Sequence, residues 1–189
     1  MSMLKKSILF ILMIAIIFSS YSCHSSRKSS KSDPASDLKL VRVKIKNNPP
    51  KLSIDVGRTD PEEFVTYAEQ FVGVKYLFGG TDPKKGFDCS GFLFYVLNHF
   101  GVKVPRTSEL YTNAGKEVEV DEAQKGDLIL FTGSDHKSGK VGHIGIIVEN
   151  KRGKLTFLHA ASGGGKGISY SGINSYFAIR FVKIIRIFS

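Results

Sequence analysis

Cysteine and histidine are the side chains here best suited to covalent chemistry near neutral pH, and their settings along the chain differ. The stretch "FDCSGF", residues 87 to 92, puts Cys89 between an acid and a small Ser-Gly pair, directly before an apolar run. A helix starting at Cys89 places the thiol at a helix N-terminus, where the dipole and free amide groups favour a thiolate. The same amides can donate to an oxyanion when the sulfur attacks a carbonyl. Asp88 and Ser90 flank the nucleophile, to contact a substrate or to cap the helix.

A sulfur nucleophile needs a base, and the chain carries five histidines. His143 opens the strand-like "HIGIIVE" and His159 ends "KLTFLHA", so adjacent antiparallel strands can bring the two together. His143 is assigned as the base and His159 as its orienter. His99, near a helix end, His136, in a polar loop, and His24, far upstream, read as structural or exposed. Cys89, His143 and His159 could instead hold a metal, but the sequence lacks close ligand pairs such as C-x-x-C or H-E-x-x-H, and no metal is expected. "GGGKG", residues 163 to 167, lacks the spacing of a phosphate-binding loop and reads as a turn.

These residues must be held by helices that precede strands. Asp60 as N-cap, Pro61 in the first helical position and Glu62 and Glu63 in the first turn predict a helix start. Phe64, Val65, Ala68, Phe71 and Val72 recur at helical spacing up to Gly73. A second helix is predicted from Cys89 to His99, with Phe92, Val96, Leu97 and Phe100 for the core and Gly101 to stop it. Beyond residue 120, "GDLILF", "HIGIIVE", "KLTFLHA" and "FAIRFVKIIRI" read as strands. Helices followed by consecutive strands indicate an α+β domain with a mainly antiparallel sheet, over residues 60–189.

The remaining N-terminal third differs in composition. Lys5 and Lys6, an apolar run from Ile8 to Phe18 and the small, polar "SSYSC" read as a signal peptide over residues 1–22. Eleven apolar residues are too few to span a bilayer comfortably. Cys23 then resembles the acylated cysteine of a bacterial lipoprotein. A Cys23–Cys89 disulfide is the structural alternative, while acylation or removal of Cys23 leaves Cys89 without a partner in the chain. Residues 23–59 read as a basic tether, and the alternating "LKLVRVKIK" at 38 to 46 as a strand lacking a partner. Of the net charge of +10, +7 falls on residues 1–60. That distribution suits an anionic membrane or wall, and no nucleic-acid partner is expected. From Cys23 to the domain, full extension reaches roughly 120 Å.

"VKYLFGG", "FDCSGF", "VPRTS", "KGDLILF", "GHIGI" and "FLHA" occur in the order of one family, and the chain resembles the NlpC/P60 cell-wall cysteine peptidases over about residues 61–189. The resemblance implies a papain-like fold, with Cys89 as nucleophile, His143 as base and His159 as polar third member. It implies substrate-binding positions at Tyr76, Asp88, Ser90 and Arg106, and a departure at Tyr111, where a glutamine often stands. The implied activity is cleavage of peptidoglycan stem peptides between γ-linked D-glutamate and meso-diaminopimelate or lysine, with no cofactor. An amidase of the same fold and a wall-binding lipoprotein with an idle triad are the alternatives. The implied location is the cell envelope, through a lipid anchor.

Overall fold

Asp60 starts the first helix as its sequence context requires. The computed structural model describes residues 39–46, 49–163 and 167–188. The expected signal peptide, Cys23 and His24 lie outside the described residues. The Asp60 side chain accepts from the Glu62 amide at 2.6 Å, and α1 (Pro61–Glu69) buries Phe64, Val65 and Ala68. It ends a turn earlier than periodicity predicts, and Gly73 sits beyond it in the left-handed region at φ 92°. A hairpin of β1 (Thr81–Asp82) and β2 (Gly86–Phe87) leads to α2 (Cys89–His99), which buries Phe92, Leu93, Val96 and Leu97. A 3-10 helix over Ser108–Asn113 follows.

The sheet comprises β3 (Lys116–Val118), β4 (Leu128–Thr132), β5 (Val141–Lys151), β6 (Lys154–Ala161), β7 (Gly167–Gly172) and β8 (Phe181–Arg186). Their order is β3-β8-β4-β5-β6-β7, and every pairing is antiparallel. All five residues of β4 are buried, because the sheet is covered on both faces. Leu128 and Leu130 join Ile144, Ile146 and Leu158 against the helices. Ile129 and Phe131 join Phe157 and Phe177 on the opposite face. The resulting α+β architecture, helices before a mainly antiparallel sheet, is the expected one.

The strand reading needed correction at three places. β3 and β7 were not among the predicted strands, being short or rich in Gly and Ser. "FAIRFVKIIRI" divides, since Asn174 caps a one-turn helix α3 (Ser175–Ala178) through the Phe177 amide, and β8 begins only at Phe181. The side-chain cap competes with strand extension at that point.

The described residues before Asp60 pack on the domain, where the sequence reading placed a free tether. Ile54 and Val56 are buried in the helix-side core, and Pro49 and Leu52 hydrogen-bond to Asn113. The alternating patch finds partners: the amides of Val41, Val43 and Lys46 donate to the carbonyls of Ala178, Phe181 and Gly139 at 2.8–3.1 Å. Val43 and Ile45 turn toward the core, while Arg42 pairs with Glu117 and Glu119.

Candidate active site

Asp88 organises the surroundings of Cys89. Held in extended conformation, it caps α2 by accepting from the Gly91 amide at 2.6 Å and also accepts from the Gly79 amide at 2.9 Å. The Arg106 guanidinium binds the same carboxylate in two-pronged fashion, at 2.7 and 3.0 Å, and donates to the Ser90 hydroxyl at 3.1 Å. Gly91 is required here, because an added Cβ would stand 2.0 Å from the Gly80 carbonyl oxygen. The "GG" before Cys89 and the "SGF" after it are thus packed backbone to backbone. Asp88, Ser90 and Arg106 are not among the side chains lining the cleft described below. Their polar atoms are spent on one another and on the loop beneath Cys89.

The histidines arrive on β5 and β6. Phe131 pairs with His143 while the next residue, Thr132, pairs with Val141, so Gly142 forms a bulge. Its carbonyl oxygen lies 3.9 Å from the Cys89 sulfur, and a Cβ at Gly142 would meet the Gly133 amide nitrogen at 2.7 Å. The register of β5 against β6 pairs Ile146 with Leu158 and leads on to Gly145 beside His159, where an added Cβ would lie 3.4 Å from the His159 Cβ, so His143 and His159 are diagonal neighbours on one face. His143 Nε2 lies 2.8 Å from His159 Nδ1, and His159 Nε2 lies 2.9 Å from the Ser171 hydroxyl. With both rings neutral, one tautomer set serves a base at Nδ1 of His143: its Nε2–H donates to His159, whose Nε2–H donates to Ser171. Ser171 is the residue that sequence reasoning missed, because β7 was not recognised as a strand; the alternation in "ISYSG" is the signal that carries it.

Burial governs the electrostatics. His143 is pulled down to about 3, first by burial and then by the neighbouring His159, and His159 is pulled down to about 4 by burial. Phe177 packs on both rings, at centroid distances of 6.3 and 5.5 Å. The Cys89 thiol is pushed up, by burial first and the Asp88 charge second. Amide hydrogen bonds from Ile144, Ser90 and Cys89 itself oppose this shift. The expected preference for thiolate is therefore present in the amides and outweighed by desolvation. Both shifts act against a resting thiolate–imidazolium pair.

Cys89, His143 and His159 line one cleft of about 690 Å³ with Tyr76 and Ser171. Tyr76 is held by a bridge to Phe87, and burial followed by the charges of Cys89 and Asp88 raises its phenol. Tyr111 is fully buried and its hydroxyl has no hydrogen-bond partner among the described residues. No group of three His, Cys, Asp or Glu residues fit to hold a metal occurs among the described residues. His99 stacks on Tyr67 at 3.8 Å, away from the cleft lining.

Helices followed by an antiparallel sheet, with a helix-terminal thiol and a histidine pair meeting in one cleft, define the class. The chain belongs to the NlpC/P60 family, whose profile matches residues 73–186. It is 32% identical over 139 residues to the bifunctional muramidase/DL-endopeptidase CwlT of Bacillus subtilis, covering 73% of this chain and 39% of that protein. It is 36% identical over 87 residues to the gamma-D-glutamyl-L-lysine dipeptidyl-peptidase of the same organism, covering 46% and 29%. An NlpC/P60 family protein from Bacillus cereus superposes with a TM-score of 0.61 at 25% identity, covering 70% of this chain and 42% of that one. The chain therefore spans less than half the length of these relatives.

Proposed function

We propose that this chain is a peptidoglycan endopeptidase that hydrolyses stem peptides at the bond between γ-linked D-glutamate and meso-diaminopimelate or lysine, by thiol catalysis. The observation that carries the reading is the convergence of Cys89, His143, His159 and Ser171 in one cleft. The names of the relatives, a DL-endopeptidase and a γ-D-glutamyl-L-lysine peptidase, supply the substrate class.

His143 takes the thiol proton at Nδ1 as the sulfur attacks the γ-carbonyl carbon. The oxyanion accepts from the Cys89 and Ser90 amides at the start of α2. Collapse breaks the C–N bond, the imidazolium returns its proton to the leaving amine, and a thioester remains. His143 then deprotonates water, which attacks the thioester to release the carboxylic acid and restore the thiol. His159 and Ser171 keep the proton on Nε2 of His143. Burial lets this cycle start from neutral partners, so the thiol ionises only as the proton is transferred.

Within the same proposal, Cys23 carries lipid and holds the enzyme at a membrane of the cell envelope. Cys23→Ser should then move the protein from the membrane to the soluble fraction, and unchanged membrane association would remove the anchor.

Mass spectrometry of muropeptides digested by the purified chain, with Cys89→Ala beside it, tests the reaction. A cut after γ-D-glutamate that the variant lacks is the expected result. Release of intact stem peptides from glycan would replace the reading with an amidase, and equal cleavage by the variant would refute the nucleophile.

A further inference from the structure

The cleft wall beyond the histidines is built from two segments far apart in sequence, the loop after β4 at Ser134 and the α3 turn at Tyr176, and both line the cavity that holds Cys89. One side chain joins them. Arg180 donates from Nη2 to the Ser134 carbonyl at 3.1 Å and from Nη1 to the Tyr176 carbonyl at 3.0 Å. Its guanidinium carbon also stands 3.7 Å from the centre of the Tyr176 ring. The backbone of Arg180 is fixed in turn, since its carbonyl accepts from the Thr132 amide at 2.9 Å. One face of the Tyr176 ring is therefore covered by a cation, yet the residue stays 50% exposed. Tyr176 lines the cavity with that exposure, so a chain bound there can bury aromatic surface that the fold itself leaves open.

We propose that Tyr176 is a substrate-contacting residue, on whose open ring face the stem peptide beside the scissile bond stacks, and that Arg180 is the positioning residue that holds the ring in place. The inference deepens the proposed endopeptidase function and rests on it. A planar amide or aliphatic chain laid on the ring removes apolar surface from water, and a ring already fixed loses little freedom on binding. Arg180 thereby acts on the peptide only through Tyr176. Phe177, next in sequence, packs on His143 and His159, so the same single turn of helix sets both the base pair and the peptide wall.

The test measures binding of an L-alanyl-γ-D-glutamyl-lysine or -diaminopimelate tripeptide to the full chain carrying Cys89→Ala, together with KM and kcat of the active chain. Tyr176→Ala should weaken binding and raise KM by about tenfold, with a smaller loss in kcat, as for an aromatic contact at a binding site. Tyr176→Phe should restore both, since the ring and not the hydroxyl makes the contact. Arg180→Ala should raise KM in the same direction, and combining it with Tyr176→Ala should add nothing further. Independent, additive losses would make Arg180 a merely structural residue and overturn its positioning role. Equal binding with and without the Tyr176 ring would overturn the inference alone. Absence of tripeptide binding with Tyr176 intact would overturn the inference together with the substrate reading beneath it.

Discussion

The two halves of the candidate active site are secured by opposite physics. On the Cys89 side, a carboxylate is satisfied by two backbone amides and a two-pronged guanidinium, all from residues 79 to 106. On the histidine side, two neutral rings are packed among Phe131, Phe157 and Phe177, with a single hydroxyl closing the hydrogen-bond chain. The first half fixes position by directed polar bonds, and its thiol is pushed up by burial first and by the Asp88 charge second. The second fixes position by apolar packing and pushes both imidazoles down through desolvation. Both shifts oppose a resting ion pair, and so the two halves agree on a neutral starting state.

The comparison breaks most completely at the reacting atoms. Cys89→Ala and His143→Ala should each lower muropeptide cleavage by on the order of 10³-fold or more while the circular dichroism spectrum is retained; residual activity near wild type would end the assignment. His159→Ala, which frees the tautomer of His143, should cost about 10–100-fold in kcat. An unchanged kcat would reduce His159 to a packing residue.

On the polar side the larger consequence is for the thiol and for stability. Asp88→Asn removes a negative charge beside Cys89, so the midpoint of its alkylation by iodoacetamide should move to lower pH, and a midpoint that stays or rises would show that the Asp88 charge does not raise the thiol. Arg106→Ala leaves that carboxylate, only 8% exposed, without its guanidinium and should lower unfolding stability by about 1–3 kcal/mol in denaturant titration, the range for a pair open to solvent on one side.

The histidine side gives the pH dependence of stability. Both folded-state values lie below the ordinary histidine value of about 6.5, so between that value and about 3–4 the unfolded chain binds more protons. Their contribution is therefore fully present above pH ~6.5 and is lost as the pH falls through that window. In the His143→Phe, His159→Phe double variant this slope should flatten; an unaltered acid limb would assign the loss to carboxylates. The smallest effect is expected at Ser171→Ala, a loss of a few-fold in kcat, because His159 then keeps its place by packing and forfeits only one hydrogen bond.

How legible each half was follows from the range of its contacts. Asp60 with Pro61, and Asp88 with Gly91, are caps whose partners stand within three residues, so the helix starts were readable from local order. Cys89, His143 and His159 were recognisable as types in context, and adjacency of "HIGIIVE" and "KLTFLHA" was inferable from strands joined by a short turn. The pairing of Ser171 with His159, the bulge at Gly142 and the Arg180 link to Ser134 depend on register and on loops; "ISYSG" shows the strand alternation but not the partner across it. The patch at residues 38 to 46 looked unpartnered because its partners, Ala178 and Phe181, lie more than a hundred positions downstream.

By itself the sequence determined the order of helices before strands, the thiol at a helix start and the pair of histidines at strand ends, since caps and apolar periodicity act over a few residues. Tertiary structure alone decided that burial disfavours charge on the thiol and on both imidazoles, that Asp88 and Arg106 brace the Cys89 loop, and that the described residues before Asp60 pack on the domain. The physical reason is that desolvation and strand register are sums over everything packed around a group, and those neighbours are assembled only when distant segments meet.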